Sequence, residues 1–363
     1  MYKTFRVKNF RCFKDLQIKD LGRVNLIAGP NNTGKTALME AMYLHTRPFS
    51  PGELSNLQQV RGIEFDDDSR MRSWRQFFYR MDSEKTIEIE GHHLLPRPRP
   101  TLCIEELANT KENEAEFQLY AKNLQSLGMS QIDAARTASE LEDILHFVER
   151  DEATSHGSAF LPSNPKLPVI GFKDRKEQSL FFPVRDMPSS EDLTDKYSTL
   201  KVEGQHIAID EALKRLEPSL TDVEVLSPDG RRRIWVEVDG VLMPLHLLGE
   251  GSIRFASILM VMRGDKPAYL FIDEIENGIH YSVQQDVWND IGEAARAHDV
   301  QVFATTHSWE MIEAAHEAFK DDDSYEFRFH RLERNLQTGN IEAATYNEFG
   351  MDAVTSVSYE VRG

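Results

Sequence analysis

The stretch VNLIAGPNNTGKT, Val24 to Thr36, constrains this chain more than any other part of it. An apolar run leads into Gly29-Pro30-Asn31-Asn32-Thr33-Gly34-Lys35-Thr36, which fits G-x-x-x-x-G-K-[ST] without a mismatch. Glycines let the backbone curl so that successive N–H groups converge, and the start of a helix adds a favourable partial charge for an anion. Lys35 is then placed to reach the outer phosphates of a nucleoside triphosphate, and the Thr36 hydroxyl to ligate Mg²⁺. Val24 to Ala28 reads as a strand buried in a parallel sheet. Thr36 to about His45 reads as a helix with Leu38, Met39, Met42 and Tyr43 on its apolar face.

A second strand of this kind, Tyr269 to Ile272, ends in Asp273-Glu274. Paired acids at the end of a buried strand are costly unless a cation compensates. Next to the loop, the first is placed to hold Mg²⁺ and the second to polarise an attacking water. A third apolar strand, in VFATTHS (Val302 to Ser308), puts His307 at the same sheet edge. In LLGEGSIRF, Gly249 and Gly251 precede Ser252, which reads as the cap of a helix whose exposed N–H groups suit an anion.

Elsewhere, Tyr2 to about Lys19 reads as a hairpin, residues 47–80 as loop with a short helix, and Thr86 to Glu90 as a strand broken off at the prolines of Leu94 to Pro100. Residues 111–150 read as helical. In their second half Ile132, Ala135, Ala138, Leu141, Ile144, Leu145 and Val148 recur at helical spacing after a Ser130 cap. Pro162, Pro165, Pro168, Pro183 and Pro188 predict an irregular connection over 155–190. After a helix at about Gly204 to Leu216, PDG (Pro228 to Gly230) and Asp239-Gly240 predict hairpins joining three short strands. Helices near 251–263, 282–297 and 308–319 then alternate with strands 268–272 and 300–304, an α/β signature.

The composition is that of a soluble globular protein, and no apolar run approaches the roughly 20 residues that span a bilayer. The amino terminus reads as a strand, not a signal peptide, so a cytoplasmic location is expected. Cys12 and Cys103 have no paired spacing, which argues against a disulfide or zinc site. A formal charge of −18 weakens a nucleic-acid reading. The runs Arg97 to Pro100 and Arg231 to Arg233 are local exceptions.

With these motifs in this order, the chain resembles the ABC-type ATPases, in their SMC-, RecF- and OLD-like branch. The Gly29 to Thr36 loop, LGEGS at Leu248 to Ser252 as a divergent signature, Asp273-Glu274, Glu276-Asn277-Gly278 in the D-loop position and His307 as the switch histidine carry the likeness. The opening FRVKNFRCF, with Asn9 to Arg11 ahead of the loop, is similar to the first lobe of these proteins. The chain looks most like their stand-alone AAA_15/AAA_21 type, without a coiled coil or TOPRIM domain. This resemblance implies an ABC/SMC-head-type P-loop NTPase with an N-terminal antiparallel β lobe (1–90), a mainly helical insertion (91–200) and a C-terminal lobe (201–363).

It further implies ATP and Mg²⁺ as cofactors. Nucleotide contacts fall on Gly29, Asn31, Asn32, Thr33, Gly34, Lys35, Thr36, Ala37, Arg11, Gly249, Gly251, Ser252 and Asn277. Lys35, Glu274 and His307 are the implied catalytic residues, and Thr36 and Asp273 the metal ligands. The Q-loop glutamine stays open among Gln58, Gln59 and Gln76. The implied partner is a second copy, head to tail, with the signature of one capping the ATP of the other. A separate effector, a TOPRIM-like or other nuclease or a toxin, is expected in phage defence. A RecF/SMC-like repair ATPase acting on DNA is the alternative, and no membrane partner is expected.

Overall fold

A computed structural model describes residues 1–47, 57, 74–93, 100–151, 154–164, 166–172, 179–184, 189–322 and 324–356. The strands are β1 (Tyr2–Phe10), β2 (Phe13–Ile18), β3 (Val24–Ala28), β4 (Ile87–His93), β5 (Thr101–Ala108), β6 (Asp143–Arg150), β7 (Ser155–Pro162) and β8 (Ser179–Phe182). They continue as β9 (Leu220–Leu226), β10 (Arg233–Val238), β11 (Val241–Pro244), β12 (Tyr269–Ile272), β13 (Gln301–Thr305), β14 (Phe327–Arg334) and β15 (Ile341–Tyr346). The helices are α1 (Lys35–Thr46), α2 (Glu114–Ser126), α3 (Gln131–Ser139), α4 (Ser190–Val202), α5 (Ile207–Leu216), α6 (Glu250–Gly264), α7 (Gln284–Ala297), α8 (Trp309–Phe319) and α9 (Glu348–Ser356).

The mainly parallel sheet has the order β15-β14-β3-β13-β12-β8, with every neighbouring pair parallel except β14–β15. Its central strands are buried on both faces, and alternate residues go to opposite cores. Leu270, Ile272, Val302 and Ala304 join the core formed with α6, α7 and α8, whereas Ile27, Phe271 and Phe303 join a second core with α1 and the first sheet. Asn25 is the polar exception in β3. Fully buried, it donates from Nδ2 to the Gly22 and Val302 carbonyls and accepts on Oδ1 from Gly22 N–H. A buried amide satisfied in this way costs little.

The other six-stranded sheet is antiparallel, β2-β1-β4-β5-β6-β7, and a three-stranded one, β11-β10-β9, carries the predicted hairpins. Gln301 stitches the two large sheets: its amide accepts from Tyr2 N–H and donates to the carbonyls of Tyr2 and Gly22. The α/β architecture, with an antiparallel sheet beside a mainly parallel one, is as the resemblance implies.

The structure corrects several element boundaries. The single helix expected over 132–148 is a short helix, α3, followed by strand β6. Ile132, which anchored the helical period, is 80% exposed. Ile144 to Glu149 are buried on both faces, with Leu145 and Phe147 facing one core and Ile144 the other. A strand packed on both sides loses the alternation that would betray it. Ser130 does cap α3, accepting from Asp133 N–H at 3.1 Å.

Likewise the irregular connection over 155–190 contains β7 and β8. Pro162 is tolerated because β7 is the edge strand of its sheet and the proline ends it. Helix and strand therefore share the segment 91–200. Strands β5 to β7 extend the antiparallel sheet, and β8 supplies an edge of the mainly parallel one.

Candidate functional site

Strands β3, β13 and β12 lie side by side and parallel, so the segments leaving their carboxyl ends meet at one sheet edge. The first is the phosphate loop. Gly34 sits in the left-handed region at φ 86°, and a Cβ there would collide with Cys12 Sγ and the Phe13 ring, so the β1–β2 turn presses directly on the loop. Lys35 is buried, with Nζ donating to the carbonyls of Gly29 (2.9 Å) and Pro30 (3.3 Å). Burial pushes its ammonium down in pKa, against the pull of Asp273, Glu274 and Glu276.

Asp273 is also buried, and its carboxylate accepts from two hydroxyls: Thr36 Oγ1 at 2.9 and 3.2 Å, and Thr305 Oγ1 at 2.5 Å. A hydroxyl and a carboxylate in contact are hard oxygen donors that fit Mg²⁺, which takes one or two protein ligands and fills its shell with phosphate and water. Among the described residues no group of three or more His, Cys, Asp or Glu is arranged to hold a metal alone.

Glu274 adopts φ 47°, a strained conformation for a residue with a Cβ. Its N–H donates to Thr305 Oγ1 (2.8 Å), and Asn277 Nδ2 donates to its Oε2 (3.1 Å). His307 Nε2 stands 3.9 Å from Glu274 Oε1, and both side chains are partly exposed. The structure thus brings together Lys35, Thr36, Asp273, Glu274, Asn277 and His307.

Other expected positions lie apart. Arg11 is held inside the protein, paired with fully buried Glu40 of α1 at 2.6 Å and placed over the Phe77 ring. Ser252 does not cap α6, because the helix begins earlier: Gly249, at φ 115°, is the cap residue, and no side chain caps it. Among the described residues no hydrogen bond or ion pair joins Gly249 to Ser252 with the phosphate loop. Gly251 instead packs on the D-loop, where a Cβ would collide with the Gly278 carbonyl. Of the Q-loop candidates, Gln76 lies in a 3₁₀ turn (Trp74–Phe77), and Gln58 and Gln59 fall outside the described residues, as does most of the Arg97 to Pro100 run.

Thr305 and Arg254 were not singled out from the sequence. Arg254 is buried on α6, donating to the carbonyls of Pro183 (2.8 Å) and Asp273 (2.5 Å), so it ties the signature helix to the end of β12. Its lone charge inside the apolar run SIRFASILMVM was a legible signal. In the Arg231 to Arg233 run, Arg232 pairs with Asp195 and Arg233 with Asp229, which neutralises much of that basic patch.

A family model described as "AAA domain, putative AbiEii toxin, Type IV TA system" matches residues 24–313. The chain belongs to this AAA_21 family. An AAA_21 protein with these motifs is a P-loop ATPase of the ABC/SMC/RecF/OLD group. It is 23% identical over 347 residues to an "ATP/GTP phosphatase" of Helicobacter pylori, covering 89% of this chain and 90% of that protein. It is 23% identical over 335 residues to an "OLD nuclease" of Thermus scotoductus, covering 85% of this chain but only 59% of the nuclease. In fold it is similar to the SMC head domain of Pyrococcus furiosus solved with the C-terminal domain of ScpA, at TM-score 0.50 and 8% identity, covering 99% of each chain. Among the described residues of this AAA_21 protein, no helix is long and apolar enough to cross a membrane.

Proposed function

We propose that this ATPase is an ATP-gated switch: two copies close head to tail around two ATP molecules, and the closed dimer controls a separate effector, a nuclease or toxin, in defence against phage. The supporting observation is the start of α6, which no side chain caps and which, among the described residues, makes no hydrogen bond to the phosphate loop of its own chain. An N-terminus with unsatisfied N–H groups is a ready anion site. A second copy can bring its own to the γ-phosphate held by the first.

In this reading the loop N–H groups and Lys35 cradle the β- and γ-phosphates. Thr36 and Asp273 would hold Mg²⁺, which neutralises charge on the phosphate oxygens when bound. Glu274 takes a proton from the attacking water as its oxygen bonds to the γ-phosphorus. The bond to the β–γ bridging oxygen breaks, leaving ADP and phosphate, while His307 hydrogen-bonds the γ-phosphate. The likeness to the OLD nuclease supports the effector class. The pairing of Arg232 and Arg233 with acids favours an effector protein over direct action on DNA.

The test is light scattering of Glu274→Gln with ATP and Mg²⁺, with Lys35→Ala as control. The expected result is an ATP-bound dimer in the first and no nucleotide binding in the second. Monomers in both at saturating ATP count against the switch. Salt-sensitive, ATP-dependent DNA binding would favour the repair clamp instead.

A further inference from the structure

The carboxylate Glu276 has no role in the chemistry described so far, yet it sits among groups that do. One of its oxygens, Oε1, accepts the backbone N–H of His307 at 2.7 Å. The other, Oε2, is sealed from solvent and has no hydrogen-bond partner among the described residues. An unpaired buried oxygen costs stability, so an apolar residue would serve a merely structural role more cheaply. Glu276 also contributes, with Asp273 and Glu274, to the field felt by Lys35.

The turn that carries it is fixed at both ends. Ile275 N–H donates to the Thr305 carbonyl (3.0 Å), Asn277 N–H to the Glu274 carbonyl (3.1 Å) and Ile279 N–H to the Glu276 carbonyl (2.9 Å). Gly278, at φ 75°, packs on Gly251 of the signature helix. A turn held this firmly presents the Glu276 carboxylate at one place, and the segment between β13 and α8 docks on it through His307. The imidazole, which is 40% exposed, is thereby directed by a contact to its own backbone.

We infer that Glu276 is a positioning residue: its hydrogen bond to the His307 backbone sets the switch-histidine ring beside Glu274, and it acts as an acceptor of fixed reach, not as a charge. This rests on the reading of His307 as the group that engages the γ-phosphate. Misplacing a reacting group by an ångström is enough to slow a reaction by about 100-fold.

Four variants test it: Glu276→Ala, Glu276→Asp, Glu276→Gln and His307→Ala, with Glu276→Ala also combined with His307→Ala. Steady-state ATPase rates and fluorescent-nucleotide binding are measured for each. Glu276→Ala is expected to lower kcat by about 10- to 100-fold with nucleotide affinity unchanged. Gln keeps an acceptor at the same reach and is expected to recover most of that loss. Asp keeps the charge but shortens the reach, and is expected to resemble Ala. In the His307→Ala background, Glu276→Ala is expected to cost nothing further.

The order Asp above Gln overturns the inference in favour of a charge role, as a base or metal ligand. A full Glu276→Ala effect without the His307 ring overturns it as well, and so does wild-type activity of Glu276→Ala. Should Glu276→Ala fail to fold, the Gln–Asp comparison still decides. If His307→Ala itself is silent, the reading of the switch histidine has failed, and this inference with it.

Discussion

Thr36 Oγ1 lies 2.9 Å from Asp273 Oδ2, although the strands that lead to them, β3 and β12, are separated by β13. Loop and carboxylate are therefore aligned by the sheet itself. Replacing Asp273 by Asn keeps the shape but removes the charge with which, in the proposed function, it would hold Mg²⁺. The Mg²⁺ concentration giving half-maximal ATPase activity is expected to rise at least about 10-fold. Nucleotide binding measured in EDTA should be unchanged, and a parallel loss there would place Asp273 in folding instead.

Thr305 serves that carboxylate from the other side and also accepts the Glu274 N–H. Thr305→Val removes both bonds without changing side-chain size. It is expected to cost about 1–3 kcal/mol in urea unfolding and to lower kcat by about 10- to 100-fold. Thr305→Ser, which keeps the hydroxyl, is expected to retain most of the rate.

Gly251 and Gly278 touch through their backbones, so a methyl group on either forces the signature helix and D-loop apart. Gly251→Ala is expected to bind nucleotide normally but to lose most of its ATPase activity. At Gly264, the far end of the same helix, a methyl group would meet nothing within 4 Å, and Gly264→Ala is expected to be silent. Equal behaviour of the two variants would show that the glycine contact does not matter.

His330 is fully buried in β14, with Nε2–H donating to Asn25 Oδ1 (3.2 Å) and Nδ1 facing Thr345 Oγ1 (3.0 Å). Burial pushes its pKa down to about 3. Above pH ~6.5 the ring is neutral folded or unfolded and adds no pH dependence. Below that, the unfolded chain takes up a proton that the folded chain refuses. Unfolding then becomes easier by about 1.4 kcal/mol per pH unit until the folded pKa is reached. Urea titrations between pH 6.5 and 5 are expected to show this slope, and His330→Gln to flatten it by that amount.

Cys12 is half-buried against Gly34, whereas Cys103 is buried and its thiol pushed up to about 11. Alkylation at neutral pH is expected to modify Cys12 first, as peptide mass spectrometry will show. Because the thiol abuts the phosphate loop, ATP is expected to slow the reaction. By linkage, alkylated protein should bind ATP more weakly. Equal rates with and without nucleotide would uncouple the two.

The candidate site is legible in the sequence where a residue's proposed role follows from its neighbours along the chain. The glycine loop, the acids ending β12 and His307 after β13 each close a short apolar run. Thr305, Arg254 and Glu276 act instead on groups that only the folded sheet brings near: Thr305 on Asp273, Arg254 on Pro183, Glu276 on His307. Strand β6 was hidden for a different reason. Its burial on two faces erased the period of two, and Leu141, Ile144, Leu145 and Val148 happened to continue the spacing of α3. Helix α4 falls at the end of the segment 91–200 that the resemblance implies is mainly helical.

The place of β3 in its sheet bears on how the protein is made. Both of its neighbours, β13 and β14, come from the last third of the chain. When Ala28 leaves the ribosome, its first partner strand lies roughly 270 residues away, a wait of on the order of 15–55 s at about 5–20 residues per second. During that interval a fully buried strand of the catalytic sheet has no sheet to join. The sheet that carries the site can therefore close around β3 only once the last third of the chain has been made.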